Sequence, residues 1–131
     1  MKKLLTVTFA LLLAQSALAG VKIEHWVSPS GAKVYFVESR VLPMLDVQVD
    51  FAAGSIFDPA GKSGLAALTR ATLDLGAGER DETAIAEQLA DIGPNLAGGA
   101  DTDRASVSIR TLSASDKLVP AIETLRAVMQ Q

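Results

Sequence analysis

From Leu45 to Phe51 the side chains alternate without a break: Leu45, Val47, Val49 and Phe51 are apolar, with Asp46, Gln48 and Asp50 between them. A period of two is the pattern of an extended strand with one dry face and one wet face. Pro43, just ahead, suits the start of such a strand, where its missing N–H can face solvent. The apolar face of a half-buried strand needs a second layer, and the rest of the chain has to supply it.

The same period returns at Ala105, Val107 and Ile109, alternating with Ser106, Ser108 and Arg110. A shorter apolar run at Val34–Val37 follows the turn signal Pro29-Ser30-Gly31 and predicts another strand. Elsewhere the spacing becomes helical. Over 63–75, Leu65, Leu68 and Leu75, with Ala71 and Thr72 between, predict one helical face that Gly76 and Gly78 terminate. A second helix starts at Asp81 or Thr83, either of which could cap it. It places Ile85, Leu89 and Ile92 at i, i+4 and i+7 before Gly93-Pro94. A third, opening at Ser113 or Ser115, sets Leu118, Ile122, Leu125 and Met129 on one face and confines Pro120 to its first turn. The small, glycine-rich tract Asn95–Ala100 reads as strand or loop. The expected order is strand, strand, helix, helix, strand or loop, strand, helix. That is an α+β fold, an antiparallel sheet with helices packed on one face. An apolar helix face beside Gln131 suggests that the natural protein continues.

The first residues read as a targeting segment. Met1-Lys2-Lys3 is basic, Leu4 to Leu13 is an apolar run broken by two threonines, and Ala17-Leu18-Ala19 has the small-x-small form read by signal peptidase. The run is shorter than the roughly 20 apolar residues of a comfortable membrane span. Residues 1–19 are therefore expected to be a cleaved signal, cut after Ala19, and the mature chain periplasmic or secreted with no membrane span. Cleavage removes Lys2 and Lys3 and no acid, leaving 10 basic against 15 acidic side chains. That balance argues against nucleic acid, which needs clustered Lys and Arg. The chain has no cysteine, which excludes disulfides, thiolate metal sites and cysteine nucleophiles.

Few residues suggest chemistry. The one histidine, His25, stands beside Trp26 with no second histidine to complete a metal site, and reads as a surface or half-packed ring. Glu79/Asp81 and Asp101/Asp103 lack a calcium-loop pattern and read as solvated turns. Gly61-Lys62-Ser63 has the end of a phosphate loop without its beginning, and no Gly-x-Ser-x-Gly elbow is present.

The run Gly54-Ser55-Ile56-Phe57-Asp58-Pro59-Ala60-Gly61-Lys62-Ser63-Gly64-Leu65-Ala66 resembles the approach to the active-site helix of the insulinase/pitrilysin family of zinc peptidases. In that family the turn leads directly into His-x-x-Glu-His, in which two histidines on one helix face hold zinc and the glutamate is general base. The resemblance places the first histidine at Ala67, the glutamate at Arg70 and the second histidine at Ala71. Alanine has no donor atom, and arginine is a permanent cation that cannot take a proton from water. The family's third ligand, a glutamate, would fall beyond Gln131. Leu75-Gly76-Ala77-Gly78, the segment from Asp81 to Gly93, the strand from Arg104 to Ser113 and the last helix match in order. The similarity thus runs from about Trp26 to the end.

The resemblance implies residues 20–131 are the amino-terminal portion of a peptidase-like half-clamp domain, truncated, with no catalytic or metal residue of its own. Zinc is expected only in an active partner. The resemblance further implies pairing with an active insulinase-family subunit and help in holding unfolded peptide. The peptide would lie as an added strand along an edge near Leu96, Ala97, Gly98 and Gly99. Two other readings remain open: a structural segment of an active metalloendopeptidase whose metal site lies elsewhere, and a stand-alone exported binding or scaffold domain.

Overall fold

The structure, a computed structural model, describes residues 20–93 and 95–130, the side chain of Ile92 excepted. The expected signal segment 1–19 lies outside the described residues. The chain divides into two compact units, Met1–Val41 and Leu42–Gln131.

In the first unit, β1 (Ile23–Val27) and β2 (Lys33–Val37) pair antiparallel, with His25 opposite Tyr35. Strand β2 was expected; β1 is additional, its alternation too short to stand out without its partner. The Ser28 N–H donates to the Ala32 carbonyl at 2.8 Å, and the Ser28 hydroxyl accepts from the Ala32 N–H at 3.1 Å, closing the turn. His25 stacks on Tyr35 with 6.4 Å between ring centroids, an exposed packing contact.

The second unit holds the α+β layer. Its sheet runs β3 (Met44–Phe51), β7 (Ala105–Leu112), β6 (Asn95–Ala100), antiparallel throughout. The glycine-rich tract is therefore a strand, and it lies at an edge of this sheet. Its glycines carry no hydrophobic pattern, so only pairing with β7 reveals it. Val107, Ile109 and Thr111 point to the buried face, and Arg110 to the exposed one, where it meets Asp46 directly across the ladder.

Three helices cover the buried face and its flank: α1 (Leu65–Thr72), α2 (Glu82–Ile92) and α3 (Ser115–Met129). One core cluster joins Val107 and Ile109 to Ala121 and Leu125; a second joins Ala77, Ile85 and Val128. Leu73, Leu96 and Met129 pack against both clusters. Between α1 and α2 the glycine stop forms a small hairpin, β4 (Gly76–Ala77) with β5 (Arg80–Asp81).

Several details depart from the expected pattern. Helix α1 is shorter than 63–75, and its inward residues are Ala66, Arg70 and Leu73, whereas Leu65, Leu68 and Leu75 are exposed. Helix α3 is turned likewise: Ala121, Thr124, Leu125 and Val128 are buried, Leu118 and Met129 half-buried, and Ile122 is at the surface. Small residues sit where a helix axis comes nearest the sheet, and a hydrophobicity pattern passes over them. Of the two candidate caps of α2, Asp81 does the work, accepting from the Ala84 N–H at 2.9 Å. Neither serine caps α3: Ala114 is its N-cap and Ser115 its first residue. Pro120 therefore lies in the second turn, inside the helix, and Thr124 Oγ1 donates to its carbonyl at 2.9 Å.

Candidate functional site

The stretch from Gly54 to Ala66 is held through its backbone N–H groups, by carbonyls of the Asp101–Thr102 segment and by the Asp58 carboxylate. Gly54 is buried, and a Cβ there would come within 2.5 Å of the Thr102–Arg104 backbone, so only glycine lets the two segments approach so closely. The N–H groups of Ser55 and Ile56 donate to the carbonyls of Asp101 and Thr102, both at 2.9 Å, opening one turn of 3-10 helix at Ser55–Phe57. Asp58 then reaches forward to the start of α1. Its two carboxylate oxygens accept from the Gly64 N–H at 2.7 Å and the Ala66 N–H at 2.9 Å. Two otherwise unpaired donors of the helix start are satisfied by one side chain, which also places negative charge at the positive end of the helix.

This gives the recognisable turn a structural purpose independent of any metal. Helix α1 emerges from it with Ala67 and Ala71 one turn apart, both exposed, and Arg70 turned inward between helix and sheet. Neither alanine offers a ligand atom. Among the described residues no cluster of three or more His, Asp or Glu side chains is placed to hold a metal. Glu79 and Asp101 are exposed; Asp81 caps α2; Asp103 lies 4.0 Å from Arg104.

Arg70 and the strand residues Leu96, Ala97, Gly98 and Gly99, separate in sequence, meet in space. Arg70 Nε is 2.8 Å from where a Cβ on Gly98 would lie, and a carbonyl of β7, that of Ser106, is only 2.1 Å from the same point. Gly98 has φ +141°, a conformation in which an L side chain is strained. Leu96 packs into the core; Ala97 and Gly99 are exposed, and the Gly99 N–H donates to Ser106 Oγ at 3.2 Å.

Beside Arg70 the helix, the 3-10 turn and the ends of β3, β7 and α3 enclose a cleft of about 400 Å3. Phe51, Phe57, Leu65, Leu73 and Met129 are its large apolar lining residues, with Arg70 and Asp58 as its charged members. None of these apolar residues was expected at a site, because they come from four segments and share no pattern. The inward position of Arg70 could have been suspected from its place between Ala66 and Leu73, spaced as one helix face.

On the outer face of the sheet, Arg110 clasps Asp46 with both Nε and Nη2, at 2.5 and 3.0 Å. The hydrogen bond from Arg110 holds the Asp46 carboxyl below its ordinary value, with the guanidinium charge adding to it and desolvation opposing.

Among the described residues no helix is long and apolar enough to cross a membrane. No protein-family model matches the chain, and no curated protein matches it. Among solved structures it is similar to the crystal structure of a peptidase M16 inactive domain from Pseudomonas fluorescens, with 42% sequence identity and a TM-score of 0.79. The match covers 82% of this chain and 26% of that one, so this chain spans well under half the length of its relative. An identity of this size, carried by the same fold, supports a relationship to that M16, insulinase-like inactive domain.

Proposed function

We propose that the chain belongs to an exported, non-catalytic subunit that pairs with an active, zinc-bearing M16 peptidase and helps to hold its peptide substrate. The observation that carries this reading is helix α1. Its lead-in turn is built by Gly54, Asp58 and Gly64, yet the helix presents Ala67, Arg70 and Ala71 where, by the resemblance, the family's zinc chemistry would need His, Glu and His. A relative described as an inactive domain supports the non-catalytic part of the proposal. Export rests on the leader-like residues 1–19 and their Ala17-Leu18-Ala19 site. The peptide-holding part is supported by the edge position of β6: among the described residues it pairs on one side only, and such a strand can accept an extended chain through main-chain hydrogen bonds.

The test is affinity capture of the tagged full-length protein from its native host, with metal analysis and peptidase assay of the eluate. Co-elution of a zinc-containing homologue, with activity absent from the bait alone, is the expected result. Recovery of a zinc-free protein by itself would favour a stand-alone scaffold. Zinc and hydrolysis in the bait itself would make this segment structural within an active enzyme.

A further inference from the structure

The Arg70 guanidinium has no ion-pair or hydrogen-bond partner among the described residues, and its Nε is buried. The other charged member of the cleft, Asp58, spends both carboxylate oxygens on the backbone N–H groups of Gly64 and Ala66. A guanidinium N–H taken out of water and left unpaired is costly, and the remaining N–H groups of Arg70 have no acceptor among the described residues either. The space beside it is a cleft of about 400 Å3 walled by Phe51, Phe57, Leu65, Leu73 and Met129. Its size is within the range of about 300–1,000 Å3 usual for small-molecule sites.

We propose that this cleft is a binding site for an apolar carboxylate, with the acid group on Arg70 and the apolar body against Phe51, Phe57, Leu73 and Met129. The residue types specify that ligand class. An apolar wall rewards hydrocarbon or aromatic surface, and a single cation with free donors demands an anion. The planar fork of arginine matches the two oxygens of a carboxylate better than a lone acceptor. Gly98 completes the site by leaving room above β6 for the arginine side chain. Two sources share this chemistry: a free aliphatic or aryl acid, and the terminal carboxylate of a peptide ending in a large apolar residue. The site stands on the cleft and on Arg70, and does not depend on pairing with a peptidase.

The experiment is calorimetric titration of the full-length protein with 4-phenylbutanoate and with N-acetyl-Ala-Ala-Phe, each against its uncharged amide. Each acid is expected to bind about 10- to 100-fold more tightly than its amide, the range for a hydrogen bond to a charged group. Arg70→Gln should abolish the preference, while Arg70→Lys keeps part of it, because the ammonium retains charge without the fork. The acid–amide contrast on the unaltered protein requires no variant to fold. Tighter binding of the peptide acid identifies a chain terminus as the ligand; tighter binding of 4-phenylbutanoate identifies a small acid. Equal binding of acid and amide, an acid preference that survives Arg70→Gln, or no binding of either acid at millimolar concentration overturns the proposal.

Discussion

Arg70 Nε lies 2.8 Å from the point where a Cβ on Gly98 would sit, so the first helix and the edge strand meet with no room for a methyl group between them. The atom packed against the strand is the guanidinium Nε, and Arg70 also lines the cleft. The glycine is what makes that packing possible. At this position it removes a collision with the arginine, a collision with the Ser106 carbonyl, and a strained backbone angle at once.

Gly98→Ala should therefore destabilise the protein by about 2 kcal/mol or more, through overpacking plus backbone strain. Gly99→Ala, one residue on, has open space around its new methyl group and should stay within about 0.5 kcal/mol of the parent. Urea unfolding of the two variants checks the contrast. Equal midpoints would show that the close approach is not a constraint.

Asp58→Ala should cost about 0.5–2 kcal/mol, the usual range for losing a side chain that caps a helix start. Two backbone donors lose their acceptor in this variant, so the upper part of that range is expected. Hydrogen exchange at the amides of Gly64 and Ala66 should accelerate most. A uniform acceleration across α2 and α3 would instead mean that Asp58 supports the whole unit.

The Asp46 carboxyl should titrate below its ordinary range, and Arg110→Gln should bring it back up. A group whose pKa is depressed by folding stabilises the fold above its unfolded value, and that contribution is lost as pH falls through the lowered folded value. The stabilisation should therefore be intact at neutral pH and fade only in strong acid, and it is small because the pair is exposed. Carboxyl-carbon NMR titration of parent and variant reads the shift directly, and an unchanged Asp46 midpoint in the variant would contradict it.

Ile109→Ala removes side-chain volume from the centre of the middle strand, where the residue is 1% exposed and packs in the cluster with Ala121 and Leu125. A loss of about 2–5 kcal/mol is expected. Thermal unfolding should show the fall, and a loss below 1 kcal/mol would mean the site collapses around the gap.

The triple change Ala67→His, Arg70→Glu and Ala71→His places two imidazoles one turn apart on α1, on the exposed side of the helix. With two histidines and no third protein ligand supplied by the motif, weak zinc binding and no peptide hydrolysis are expected from the 131-residue chain. Robust hydrolysis by that variant would refute the account of why the helix is inert.

The residues themselves determined much of this architecture. Strict alternation in Leu45–Phe51 and Ala105–Ile109 identified two sheet strands, because an extended chain sends successive side chains to opposite faces. Asp81 and Gly93 marked the ends of α2 by the chemistry of capping. The turn before α1 carried the resemblance because its glycines and Asp58 answer local backbone geometry, which is written in contiguous residues. Tertiary structure alone decided the rest. Asn95–Ala100 became a strand only by pairing with β7, since glycine and alanine carry too little side chain to mark a face. The faces of α1 and α3 turned toward Arg70 and Ala121 because the sheet rewards whatever shape fits at closest approach, whereas a sequence pattern weighs hydrophobicity. The cleft beside Arg70 draws its wall from residues as far apart as Phe51 and Met129, and only packing brings them together.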